Sequence, residues 1–511
     1  MHKAKISGQA MLVTVMALLM AMVLAACGET ATPAATSAAA STTAAMTSVA
    51  AMTTSVATTS AAVATTSAVA TTTSAAVATT SAAVATTTSA AVATTSAAVA
   101  TTSAAASPAA GGASVTTFNI TVPANLKTGP GVDTATKTIT VGGIGALSGP
   151  VAAAGKLLIR GSEVYFKALN DAGGIGGYKV NFVTGDSQYS PQLAVQQYSK
   201  LAPDVAIIGQ VIGAPSAAAL KDQAASDKVM FLAATGDSSV LGYKYAFTTA
   251  IPYPLETING IDYAVNQLNK KGSKFAIVYQ DDAYGQDCLK GYKAAIQAYG
   301  LQDVGQIPFK VTDKDFTAQA TQLKNTGAEV VWMASQPTQT AAIMGAATQL
   351  GVAPQWMLQS AAFSSQLLAT PIKDVLLKAY VASYGVAWGD PNAPNEATKI
   401  AAIAKYAPDQ KPDSYFSAGW AYGIVVTNIL AKALSNGDIS RDGILAAFES
   451  LKNIDLGQGP GQPLFSYGSA ANDRAPFRTS VIFKVDANDV AGYSPVTKPF
   501  TSEAAKNYKF S

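Results

Sequence analysis

Thr138-Ile139-Thr140-Val141-Gly142-Gly143-Ile144-Gly145-Ala146-Leu147 is the stretch that decides the fold. It is uncharged, rich in β-branched residues, and closed by Ser148-Gly149-Pro150. Such a run reads as a strand buried on both faces, and the amphipathic stretch over 155–170 that follows reads as a helix. The alternation continues outward. Strands are predicted at 179–184, 205–211, 229–234 and 246–250, with helices at 191–201 and 216–227. Ser190 is the N-cap of the 191–201 helix and Pro191 its first residue. After a helix at 255–269, strands follow at 275–279, 329–334 and 355–358, with helices at 286–299, 316–324 and 338–350. Short apolar strands alternating with amphipathic helices imply βαβ units. Eight or more strands in two runs imply two parallel-type central sheets, hence two α/β lobes. The uncharged stretch 415–431 is nearly long enough to cross a bilayer. Ser417, Gly419, Gly423 and Asn428 dilute it, so it reads as a buried core helix.

Composition removes much chemistry. The chain has 511 residues, room for two or three domains, and a formal charge of +3. Without Lys3 and Lys5 of the leader, the 34 basic residues become 32 against 31 acidic ones. That balance disfavours nucleic acid as a partner. The only histidine is His2, in the same leader. The remaining chain has no imidazole for a Ser-His-Asp triad or a His-ligated zinc, and neither a metal nor a cofactor is expected. Cys27 and Cys288 are the only cysteines, too few for a disulfide-stapled scaffold.

Residues 1–26 have a basic start and then an apolar run, the layout of a secretory signal. The run ends Leu24-Ala25-Ala26-Cys27-Gly28, which resembles the bacterial lipobox and implies acylation of Cys27. An ordinary signal peptide or an uncleaved anchor with an incidental cysteine is the alternative. No charge occurs between Glu29 and Lys127, and Ala, Thr, Ser and Val dominate. Residues 27–112 lack bulky side chains to offset ordering entropy and read as a disordered tether. The expected location is the extracytoplasmic face of a bacterial membrane.

Three motifs read as structure rather than chemistry. Gly173-Gly174-Ile175-Gly176-Gly177 follows a helix and precedes a strand, the reverse of a phosphate-cradling loop, and reads as cap and turn. Asp281-Asp282 after a strand read as caps of the next helix rather than catalytic carboxylates. Cys288 has no basic neighbour to activate it.

Several blocks together resemble the type I periplasmic binding proteins of the leucine/isoleucine/valine-binding kind. They are Gly145–Pro150 with Gly155, Leu169–Gly177, Asp186–Pro191, Asp281–Gly285, and Asp315-Phe316 with Leu323-Lys324, in family order over residues 137–490. The resemblance implies two Rossmann-like lobes joined by three hinge crossings. Lobe 1 is expected to comprise 133–250 and 380–478, and lobe 2 to comprise 251–379 and 479–511. It further implies ligand capture by hinge closure and docking on an ABC permease, without enzymatic activity. Carried over by position, Gly213, Ala214, Ala234, Thr235 and Gly236 would meet a ligand carboxylate, and Tyr284 would close over it. The acidic residue that holds an amino-acid ammonium aligns with Ser360, an aromatic position with Gln336, and a pocket aromatic with Ala154. These departures point to a small amino-acid-like ligand, whether a branched-chain amino acid or a related carboxylate or amide. An unpaired buried ammonium is costly, so the hypothesis favours a ligand that is not a zwitterion, with Gln336 and Ser360 making neutral hydrogen bonds. A sensory ligand-binding head, or an exported enzyme using Asp281 or Asp282, is the alternative.

Overall fold

The computed structural model describes residues 118–384, 388–389, 393, 395–456, 464–467 and 477–510. The leader, Cys27 and the tether of 27–112 lie outside the described residues.

The first sheet contains β1 (Val132–Asp133), β2 (Thr138–Gly145), β3 (Lys179–Asp186), β4 (Ile207–Ile212), β5 (Phe231–Ala234) and β6 (Ala246–Phe247). Its order is β3-β2-β4-β5-β6, all parallel, with β1 antiparallel on the start of β2. The crossovers are α1 (Ala152–Asp171), α2 (Pro191–Leu201) and α3 (Ala214–Asp227). Ser190 caps α2 by accepting from the Leu193 N–H, ahead of Pro191 at its first position.

The second sheet is built the same way. α4 (Tyr253–Asn266) leads to β7 (Lys274–Gln280), α5 (Ala283–Tyr299), β8 (Gln302–Phe309), α6 (Thr317–Thr326), β9 (Val330–Ala334), α7 (Pro337–Gln349) and β10 (Gln355–Leu358). Then come α8 (Lys373–Leu376) and β11 (Tyr380–Ser383). The sheet order is β8-β7-β9-β10-β11-β12-β13, where β12 (Val481–Val485) and β13 (Tyr493–Pro495) form an antiparallel edge. Both sheets therefore reverse their strand order once, between β2 and β4 and between β7 and β9, the places where open α/β sheets leave a crevice.

The predicted return to lobe 1 at residue 380 is corrected. Strand β11 pairs with β10 on one side and β12 on the other, so its backbone is satisfied only within the second sheet. The chain rejoins the first sheet later, through α9 (Glu396–Tyr406), α10 (Ser414–Ser435) and α11 (Arg441–Ser450), and ends in α12 (Glu503–Asn507). Helix α10 is the uncharged stretch flagged in the sequence. Among the described residues no helix is long and apolar enough to cross a membrane. Helix α10 instead lies along α1 at very close range. A Cβ on Gly419 would fall 2.0 Å from the Leu158 carbonyl oxygen, and one on Gly161 would fall 2.2 Å from that of Phe416. The approach lets Ser162 Oγ donate to the Gly419 carbonyl at 2.7 Å and sets Trp420 edge-on to Tyr165. This contact fixes the N-terminal turns of α10 over the ends of the parallel strands.

Candidate ligand-binding cavity

A cavity of about 110 Å³ lies between the strand ends of the two sheets. The first sheet contributes Ala234, Thr235 and Gly236 after β5, and α10 contributes Tyr415, Ser417 and Tyr422. From the second sheet come Tyr253 at the start of α4, Ser360 and Phe363 after β10, and Tyr384 after β11. No lining residue carries an ionisable acid or base stronger than a phenol. Among the described residues no group of three or more His, Cys, Asp or Glu is placed to hold a metal ion.

The wall is a set of neutral hydroxyls on aromatic and aliphatic surface. Thr235 Oγ1 donates to Tyr253 Oη at 3.1 Å and accepts from the Asp237 N–H at 3.2 Å. Tyr415 Oη donates to the Ala361 carbonyl at 2.6 Å. Burial pushes the phenols of Tyr253, Tyr384 and Tyr415 well above their ordinary range, so they remain neutral donors across the physiological range.

Two buried carboxyls stand behind this wall, Glu256 and Asp413. Glu256, in the first turn of α4, is completely buried, and its Oε1 accepts from the Ser360 N–H at 2.6 Å and its Oε2 from Ser360 Oγ at 3.1 Å. Burial pushes its carboxyl up to about 8, against the hydrogen bonds from Ser360 and Gln359 that lower it. Ser360 thus separates the Glu256 carboxyl from the cavity, and the other buried acid beside it, Asp413, is engaged by Ser364 Oγ and the Tyr415 N–H. An ammonium there would lack a carboxylate partner, while a carboxyl, amide or hydroxyl head would meet several donors.

The sequence-derived residues divide into two groups. Ala234, Thr235, Gly236 and Ser360 line the cavity. Gly213, Ala214, Tyr284 and Gln336 do not. The Tyr189 ring covers Gly213, and a Cβ there would fall 2.4 Å from Tyr189 Cε2. Ala214 opens α3 and is buried with it. Tyr284 stands behind Tyr253, edge-on at 4.7 Å between ring centroids, with its Oη donating to the Ser335 carbonyl at 3.2 Å. Gln336 sits at the N-cap of α7, nearly buried. Tyr253, Tyr384, Tyr415, Tyr422 and Glu256 were missed. The usable signal was position: Tyr253 follows the first crossing, and Tyr415 opens the long uncharged helix.

Away from the cavity, hydrogen bonds join the two halves. Tyr189 Oη donates to Asp282 at 3.0 Å and accepts from Gln280 Nε2 at 3.0 Å; Gln280 also donates to Asp282. Asp282 caps α5 by accepting from the Tyr284 and Gly285 N–H groups, the capping role read from sequence. Ser238 donates through its N–H and Oγ to Asp287, at 2.8 and 2.6 Å. Burial raises both carboxyls, Asp287 to about 6. Cys288 is fully buried and its thiol pushed well above the ordinary range, first by burial and then by nearby carboxylates.

A periplasmic binding protein family model matches residues 138–490. The chain belongs to that family, and its paired α/β sheets are those of a type I member. Among similar proteins is the Leu/Ile/Val-binding protein homolog 3 of Brucella melitensis biotype 1. It is 32% identical over 198 residues, 38% of this chain and 53% of that one, so the chain spans about half the length of this curated relative. A fatty acid ABC transporter substrate-binding protein from Thermomonospora curvata superposes with a TM-score of 0.70 at 31% identity, covering 75% of this chain and 97% of the other. A branched chain amino acid ABC transporter protein from Thermus thermophilus with bound valine gives 0.65 at 17% identity, covering 72% and 98%, a likeness of fold.

Proposed function

We propose that this protein is the extracytoplasmic solute-binding component of an ABC importer. It traps one small monocarboxylic acid with an apolar body and does no covalent work on it. The observation that carries the ligand class is the cavity itself: five tyrosines and several hydroxyls on apolar surface, without a cation or an accessible carboxylate. A carboxyl head satisfied by two or three hydroxyl donors fits such a wall, whereas an α-ammonium would be stranded at a cost of several kcal/mol. The Thermomonospora curvata protein, a fatty acid binder by its name, supports the same class. Acyl chains on Cys27 and the tether of 27–112 would hold the head at the membrane beside a permease. Lobe 1 would comprise the first sheet with α9–α11, and lobe 2 the second sheet with its C-terminal edge. The lobes would close about the crossings near Ala250, Tyr384 and Arg478. Supporting a non-catalytic role, Asp282 is committed to capping α5 and to Tyr189, and Asp281 to Gln286.

A thermal-shift screen of carboxylic acids, amides and amino acids tests this. An acid at 100 times its Kd should stabilise the protein by about 2.7 kcal/mol and be recovered chemically unchanged. Stabilisation by leucine alone, or recovery of a converted acid, would contradict it.

A further inference from the structure

A second apolar space of about 310 Å³ lies directly beyond the first. Its walls are Ala154 and Leu157 of α1, Pro337 and Ala341 of α7, and Leu367 after β10. One side chain lines both spaces: Tyr415. The tyrosine cavity holds most of the phenols; the outer groove also meets Thr338, Ser364, Gln366 and Thr370, but most of its surface is alanine, leucine and proline carbon. The two together are polar at one end and greasy at the other.

We infer that the outer groove between α1 and α7 is the binding site for the distal methylenes of the same ligand whose carboxyl sits in the tyrosine cavity, with Tyr415 as the movable partition between head and tail. This rests on the carboxylic-acid reading above and adds chain length as the property being selected. The groove exists because of small side chains. Ala154 occupies the position where the family resemblance leads one to expect a pocket aromatic, and Ala341 faces the same groove from α7. A ring at either place would fill it. The Tyr415 ring is held by the 2.6 Å bond to the Ala361 carbonyl, and its N–H by the Asp413 carboxyl. Breaking one side-chain hydrogen bond releases the ring, and an apolar tail entering the groove offsets that loss by leaving water. A compact branched side chain would end inside the first cavity and leave the groove unused.

The test is the Kd of butanoic, octanoic and dodecanoic acid, by calorimetry, on the wild-type protein and on Ala341→Trp, with Thr338→Trp, at an exposed position on the groove's rim, as a second groove-filling variant. Wild-type affinity should rise about two- to fourfold per methylene while the tail lengthens into the groove. Each variant should bind butanoic acid within twofold of wild type and dodecanoic acid at least tenfold more weakly. A flat dependence on length in the wild type, or equal losses for short and long acids in both variants, overturns the tail site and leaves the carboxyl-head reading standing. If no acid binds wild type at any length, both fall.

Discussion

Two loops of the first sheet, after β4 and after β5, occupy equivalent places at the ends of adjacent parallel strands, yet only one faces the cavity. Ala234–Gly236 opens onto it, while Gly213-Ala214 is sealed under the Tyr189 ring. The sealed loop is the one at the reversal of strand order, where the crevice of an open α/β sheet is ordinarily widest. Tyr189 fills that crevice because the second half holds its hydroxyl through Gln280 and Asp282. The binding space is thereby displaced toward β5 and α10. Strand ends supply the candidate positions; side chains arriving from elsewhere decide which stay open.

The largest effect should come from forcing the sealed loop. Gly213 has φ +96°, and Tyr189 leaves no room for a side chain. Gly213→Val should lower unfolding stability by roughly 3 kcal/mol or more in urea titrations. Ala234→Val in the open loop should leave stability nearly unchanged and weaken binding instead. Equal stability losses would erase the contrast between the loops.

Next in size is a pH effect on the cavity's far wall. The Glu256 carboxyl is raised by burial to about 8, so the folded protein retains a proton that the unfolded chain has released. Its contribution is fully present below about pH 4.5 and is lost as pH rises to about 8. Between pH 5.5 and 7, wild type should therefore lose about 2 kcal/mol relative to Glu256→Gln, at about 1.4 kcal/mol per pH unit. Parallel stability profiles for the two proteins would contradict the buried neutral acid.

Smaller again is the seal itself. Tyr189→Phe removes the hydroxyl bridging Gln280 and Asp282, and should destabilise the joined halves by about 1–1.5 kcal/mol. Ligand affinity should fall about tenfold with no change in which acids bind. Smallest is Thr235→Val, which loses the 3.1 Å bond to Tyr253 and should raise Kd only severalfold, at about 1 kcal/mol.

The parallel strands were legible because they are buried on both faces and read as uninterrupted apolar runs, β2, β4 and β9 above all. Strand β8 was not, since it lies at a sheet edge with mostly exposed or half-buried side chains. The short β11 and the β12–β13 edge also escaped, and with them the boundary at 380. Within the site, position along the family pattern located Ala234, Thr235, Gly236 and Ser360. It could not reveal that Glu256, a hundred residues earlier in the chain, would consume Ser360's donors, nor that Tyr189 would cover Gly213. Those are contacts between distant segments, fixed by how the sheets meet and not by any local spacing.

The cavity is expected to accept an acid head and reject a zwitterion. Isothermal titration at pH 7 with octanoic acid and with leucine, on one preparation, tests it most directly. The account predicts micromolar binding of octanoic acid and no measurable heat from leucine; micromolar leucine with silent octanoic acid would contradict it.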